Sequence, residues 1–161
     1  MSHAAPGNAR ARVEIETPAD AEAVDALVLA AFGPGRFAKT AERLRERARI
    51  AVGFVARDAG RPIGSVRLWR VRIGDTPAVF LGPIAVAGDH RQGGVGAELV
   101  QACIDRAKAD GLDILLVGDT DYFGRFGFVP ASAVTLPGPV DSGRVLWRGA
   151  AAPEGVVRPD P

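Results

Sequence analysis

One stretch constrains the fold more than any other: Leu81-Gly82-Pro83-Ile84-Ala85-Val86-Ala87-Gly88-Asp89-His90-Arg91-Gln92-Gly93-Gly94-Val95-Gly96. It begins as an apolar strand, passes through a glycine-rich turn and ends as the start of a helix. The helix is read over Gly93 to Asp110, with Val95, Leu99 and Cys103 on one row and Val100, Ile104 and Ala107 beside it. Gly111 fits its C-cap, and Leu112 to Val117 is a short apolar strand. Strand, helix, strand in this order is a βαβ unit, whose two strands lie parallel and close together. The first turn of any helix leaves backbone N–H groups without intrahelical partners. With the helix dipole they form an anion site. Glycines at 93, 94 and 96 let a phosphate approach the backbone, and Arg91 can add a charge-assisted contact.

Two familiar phosphate motifs fail on the residues. A Walker A loop needs Lys-Ser/Thr after its last glycine, but Gly93 is followed by Gly94-Val95. A dinucleotide fingerprint needs a third glycine, which Gly94-Val95-Gly96-Ala97-Glu98-Leu99 lacks. What remains is R-x-x-G-x-G, on Arg91, Gly94 and Gly96.

Upstream, Arg12 to Glu16 alternates as a strand with Val13 and Ile15 on one face. Thr17 reads as an N-cap and Pro18 as a first helical residue, with Asp20 and Glu22 complementing the dipole. That helix carries Val24, Leu27, Val28 and Ala31 and stops near Gly33-Pro34-Gly35. A second helix is expected after Thr40, and the Gly33–Lys39 loop is either a substrate-side element or a connector. Arg43, Arg45, Arg47 and Arg49 alternate with Glu42 and Glu46, the pattern of a solvated face. Ala51–Arg57, Ile63–Ile73 and Ala78–Val86 read as strands joined by short turns, hence an antiparallel meander. Asp121–Arg125 is a short helix; Phe126–Pro130 and Arg144–Arg148 are extended. Residues 1–11 and the proline-rich 150–161 are expected to be flexible tails around one domain over 12–149.

Composition narrows the function. Hydrophobic residues make up 47% and charged residues 24%, which supports a folded core rather than disorder. With 20 basic against 19 acidic residues there is no basic surplus, so no nucleic-acid partner is expected. No apolar run approaches the ~20 residues that cross a bilayer, and Met1–Arg12 lacks the apolar core of a secretory signal. No membrane partner is therefore expected, and the cytoplasm is the expected compartment. The one cysteine, Cys103, falls on the buried helix row and reads as packing. Trp69 and Trp147 read as packed strand aromatics, and His90 as a solvated loop residue. No His/Cys/Asp cluster has metal-ligand spacing, so no metal is expected.

The R-x-x-G-x-G pattern resembles the pyrophosphate-binding motif of the GNAT acetyltransferases. A second match follows it: Tyr122-Phe123-Gly124-Arg125-Phe126-Gly127-Phe128-Val129-Pro130 resembles the Y-Y-x-R-F-G-F segment of a bacterial subgroup of small N-acetyltransferases. The two stand in the right order and secondary structure, and the resemblance spans roughly Arg12 to Val129. It implies a mixed α+β chain with the GNAT acyl-CoA N-acyltransferase fold: a central, mostly antiparallel sheet flanked by helices. The parallel strands, Ala78–Val86 and Leu112–Val117, would splay apart to admit the cofactor.

The same resemblance implies acetyl-CoA as donor, CoA as product, and direct attack by a primary amine of a small molecule or peptide in a ternary complex. Main-chain groups of Ile84, Ala85 and Val86 would hold the pantetheine like an added strand, one N–H polarising the thioester carbonyl. Pro83 cannot donate a hydrogen bond and fits an irregular point in the strand. The amides of Gln92, Gly93, Gly94, Val95 and Gly96 would meet the pyrophosphate. Many members carry a tyrosine acid four residues before the glycine of the final G-F. Here that position is Phe123, which would lie against the cofactor, and the chain's one tyrosine is its neighbour Tyr122. Either Tyr122 reaches the leaving thiolate or solvent protonates it, as an ordinary thiol pKa of about 8.5 allows. Asp119, just past the second strand, is either the base or a turn or helix-cap aspartate. Homodimers occur in the family and are one assembly to expect. Two other readings stay open: a non-catalytic acyl-CoA-binding or sensing module, which Phe123 favours, and a different acyl donor or acceptor on the same fold. Arg36, Lys39 and Arg43 hint at an acidic acceptor.

Overall fold

In chain order the elements are β1 (Arg12–Ile15), α1 (Ala21–Phe32), β2 (Ile50–Asp58), β3 (Arg61–Ile73), β4 (Thr76–Leu81), β5 (Ala85–Val86), α2 (Val95–Ala109), β6 (Ile114–Val117), α3 (Thr120–Phe123), β7 (Val129–Pro130), β8 (Val134–Thr135), β9 (Val145–Arg148) and β10 (Gly155–Pro159). The computed structural model describes residues 11–33, 48–90, 93–137 and 140–161. The expected N-terminal tail up to residue 10, the helix after Thr40, the interhelical loop past Gly33, and Arg36, Lys39, Arg43, Arg91 and Gln92 lie outside the described residues.

The sheet is organised around β3, the longest strand. One edge of β3 pairs antiparallel with β2, and β1 extends the sheet beyond it. The other edge pairs antiparallel with β4. The sheet then passes in parallel from β4 to β6 and antiparallel to β9 and β7. The parallel β4–β6 pair is joined through α2, as the strand–helix–strand pattern requires. Antiparallel pairing dominates, with β8–β10 a second, two-residue parallel contact. This is the mixed α+β architecture expected from the sequence.

Each face of the sheet is covered. On one, α2 buries Leu99, Val100, Cys103, Ile104 and Ala107 against Phe54, Ile63, Leu68, Leu81, Ile114 and Leu116. Burying a leucine such as Leu99 contributes about 1.5–3 kcal/mol. The helix comes this close because of Gly64: a Cβ there would stand 3.0 Å from Val95 and 3.1 Å from Leu99. Burial of Cys103 pushes its thiol up to about 12, so it packs as a small hydrophobe. On the other face, Val71, Ile73, Phe80, Leu115 and Trp147 pack with Val134, Leu136 and Val157. The start of α1 is pinned by charge. Asp20 accepts from the Thr17 N–H at 2.9 Å and takes a two-pronged contact from Arg57 at 2.9 and 2.8 Å. Hydrogen bonds from Arg57 and Thr17 hold the Asp20 carboxyl well below the usual carboxylate range.

Two sequence expectations are corrected. Residues 150–161 are not simply a tail: Gly155–Pro159 forms β10, antiparallel to β3 at Val71–Ile73, with Val157 1% exposed. Their prolines conceal a strand because β10 pairs with β3 for only three residues and Pro159 sits at its end. Nor is Ala78–Val86 one strand. It divides at Gly82-Pro83-Ile84 into β4 and β5, and the division shapes the site.

Candidate active site

The division is a register slip. Leu68 of β3 pairs with Leu81 of β4, and Ser65 pairs with Ala85 of β5. Between these points Val66 and Arg67 face Gly82, Pro83 and Ile84, one residue too many, which is a β-bulge. Gly82 N–H still bonds Arg67 O at 2.9 Å, but Pro83 has no N–H to offer and the ladder is interrupted. Beyond the bulge β5 stays with β3, whereas β6 stays with β9. The β4–β6 pairing covers only Val79–Phe80 with Ile114–Leu115. A gap in the sheet's pairing therefore lies between β5 and the end of β6.

The gap leads to the start of α2. The chain leaves β5 with Ala87 N–H bonded to Ile63 O and makes a short turn over Gly88–His90. The Gly93 N–H donates to His90 O at 3.1 Å. Gly93 thus closes the turn. Gly94 is the N-cap with φ 81°, a left-handed conformation that favours glycine. The helical ladder begins with Glu98 N–H to Gly94 O, so the amides of Gly94, Val95, Gly96 and Ala97 have no partner inside the helix. A Cβ on Gly94 would meet nothing within 4 Å among the described residues, so the space beside that glycine is open.

The aromatic segment flanks the gap from the β6 side. α3 begins at Asp119, whose Oδ1 accepts from the Asp121 N–H at 3.0 Å. Asp119 is therefore a helix cap, with one carboxylate oxygen committed to the backbone. Phe123 lies over Gly118 at the end of β6 and packs edge-on to Phe128 with 5.9 Å between centroids. Tyr122 meets Phe123 edge-on at 4.9 Å and Phe126 at 5.6 Å. Its hydroxyl stands 3.6 Å from where a Cβ on Gly96 would be, over the first turn of α2. The structure thus brings Tyr122 and Phe123 together and sets the Tyr122 hydroxyl at the first turn of α2, with Asp119 as the cap of α3.

Sequence reasoning missed a cleft on the α1 side of the bulge. Val24 and Val28 of α1, Ser65, Arg67 and Trp69 of β3, and Pro83 line it. Arg67 is held by Glu16 through Nε–Oε1 at 3.0 Å and Nη2–Oε2 at 2.7 Å, an ion pair that raises its pKa. A side chain at Gly53 would overlap that carboxylate. Trp147 is a packed aromatic, its Nε1 bonded to Ala150 O at 2.8 Å, whereas Trp69 borders the cleft. No local pattern announces the Glu16–Arg67 pair, because its members come from opposite sides of α1 in sequence.

The model of the acetyltransferase (GNAT) family matches residues 21–128, from α1 through the aromatic segment. The chain belongs to the GNAT acetyltransferase family. Among curated relatives of this GNAT protein, the N-acetyltransferase YhbS of Escherichia coli K12 is 32% identical over 120 residues, 72% of each chain. The N-acetyltransferase YjhQ of the same strain is 28% identical over 128 residues, 73% of this chain and 69% of the relative. A crystal structure of E. coli YhbS in complex with CoA superposes with TM-score 0.79 at 28% identity, covering 94% of this chain and 90% of that one. A Brucella melitensis GNAT acetyltransferase solved with acetyl-CoA gives TM-score 0.71 at 23% identity, with 91% and 94% covered, and supports the fold. Membership carries the general chemistry: this GNAT protein is an acyltransferase that uses acetyl-CoA. Among the described residues no helix is long and apolar enough to cross a membrane.

Proposed function

We propose that this acetyltransferase moves the acetyl group of acetyl-CoA to the primary amine of a small molecule or peptide, by direct attack within a ternary complex. The observation that carries this reading is the bulge at Gly82–Ile84, which keeps β5 on β3 while β6 stays with β9, just ahead of a helix whose first amides lack intrahelical partners. The main chain at Ile84, Ala85 and Val86, from the bulge into β5, binds the pantetheine arm. The amides of Gly94, Val95 and Gly96 bind the diphosphate, complemented by the helix dipole. Phe123 forms the apolar wall of the gap.

Acetyl-CoA supplies an activated thioester; the chain supplies position, exclusion of water and polarisation of the carbonyl by a main-chain N–H past Pro83. The acceptor amine enters from the α1 cleft, on the other side of the bulge. No side-chain acid is required. Phe123 stands where the family usually carries a tyrosine, and a leaving thiol with a pKa of about 8.5 takes its proton from solvent near neutrality. Asp119 serves in this reading as the cap of α3.

The test is calorimetry with CoA, followed by CoA-thiol release from acetyl-CoA over a broad panel of primary amines. Micromolar binding with turnover on some amine is expected. Binding without turnover on any amine points instead to an acyl-CoA sensing module, which Phe123 favours. Absence of binding overturns both.

A further inference from the structure

The only tyrosine of the chain is placed for a task other than proton transfer. Its hydroxyl lies over the first turn of α2, 3.6 Å from the position of a Gly96 Cβ, beside the amides that begin that helix. It is held there by three contacts. Phe123 packs edge-on to the ring at 4.9 Å, Phe126 lies tilted at 5.6 Å, and the Arg125 guanidinium stacks on the ring with Cζ 4.6 Å from its centroid. Arg125 is itself tethered by its Nε to the Tyr122 carbonyl at 3.3 Å. Its terminal nitrogens make no ion pair among the described residues, and the residue is exposed. The Tyr122 hydroxyl thus stands beside the first turn of α2, whose amides lack intrahelical partners, and a guanidinium is stacked on the same ring. All three are donors. A group that meets them together is an anion rich in acceptor oxygens, such as a phosphate ester.

We propose that Tyr122 and Arg125 are phosphate-binding residues: Tyr122 donates its hydroxyl proton to a phosphate oxygen of the coenzyme, and Arg125 adds charge from its stacked position. This rests on the acetyl-CoA reading above and gives Tyr122 a binding role in place of the acid role. Gly96 belongs to the same device, because its missing side chain leaves the space beneath the hydroxyl for a phosphate oxygen. Phe123 cannot take this part, having no hydroxyl and lying against Gly118 at the end of β6.

The experiment compares two ligands that differ in phosphates: CoA, and pantetheine, which has the thiol arm and none. Their dissociation constants are measured by calorimetry, with pantetheine read by displacement, for the wild type, Tyr122→Phe and Arg125→Gln. Tyr122→Phe is expected to weaken CoA by roughly tenfold, the order of one hydrogen bond to a charged group. The CoA-to-pantetheine affinity ratio narrows by the same factor. Arg125→Gln is expected to weaken CoA several-fold and to lower the salt dependence of binding, since it removes a screened charge. An unchanged affinity ratio in both variants overturns the proposal, as does an equal loss for both ligands, which marks a purely structural role. Should Tyr122→Phe fail to fold, Arg125→Gln, an exposed substitution, decides on the same ratio. If the wild type does not bind CoA, the acetyltransferase reading falls and takes this inference with it. If the wild type binds and the variants match it, only the inference falls.

Discussion

Replacing Gly118 with alanine tests the wall of the gap. Gly118 follows β6, with its N–H bonded to Arg144 O at 2.8 Å, and it does not have a positive φ. Alanine therefore costs it no backbone strain, and the effect is steric alone. The new Cβ would stand 2.5 and 2.8 Å from Cε2 and Cδ2 of Phe123 and 3.0 Å from Leu116 Cδ1. Contacts this short displace the ring or the strand. Overpacking of this kind costs about 1–3 kcal/mol. At about 2–4 °C per kcal/mol for a domain of this size, melting should fall by about 2–12 °C. Because Phe123 lines the gap, CoA affinity should fall as well. Thermal melts by circular dichroism and calorimetry with CoA are the assays. Adding Phe123→Leu should recover stability, giving a coupling energy in the double-mutant cycle. A melting point within a degree of wild type for Gly118→Ala, or strictly additive effects in the cycle, would refute the proposed packing of Phe123 over the strand end.

Three further outcomes follow from the same structure. Gly94→Ala places a side chain at φ 81° with no neighbour within 4 Å, so its cost is conformational, about 1–2 kcal/mol by urea titration, with weaker CoA binding alongside. Arg57→Ala removes the guanidinium that depresses Asp20. A lowered carboxylate pKa stabilises the fold above the unfolded value of about 3.9 and loses that effect as pH falls through the folded value. Melts between pH 2 and 7 should therefore show the deficit of Arg57→Ala narrowing as pH falls below about 4, and a constant deficit at every pH would count against the linkage. Cys103, its thiol pushed up to about 12, should resist a disulfide reagent at pH 8 in the folded protein and react fully in urea.

The sequence made the site's framework visible because that framework is local. The glycine turn, the helix row from Val95 to Ala107 and the aromatic segment each lie within a short run, and their periods and turn residues can be read directly. What escaped depends on pairing across the sheet. An apolar run such as Ala78–Val86 carries no mark of a register slip except Pro83, and the slip is defined only by the residues of β3 opposite it. The bond from the Gly93 amide to His90 O, which closes the turn, depends on the loop's folded shape rather than on any residue pattern. Asp119 could be weighed as base or cap, and the hydrogen bond from the Asp121 N–H identifies the cap. Glu16 and Arg67 meet across Gly53 only once β3 and the chain after β1 flank β2, and the cleft forms only where α1 meets β3, so neither has a signature in any single segment.

One edge of β3 is tiled by two strands from distant parts of the chain: β2 along Arg61–Trp69 and β10 along Val71–Ile73. During synthesis β2 can zip onto β3 at once, through the tight turn at Ala59–Gly60, but the last three positions wait for residues 155–159 to leave the ribosome. Until then a hydrophobic strand end offers unpaired amides and carbonyls to any neighbouring chain. Docking of this proline-bearing strand completes the sheet in the nascent protein and also closes that end against polymerisation.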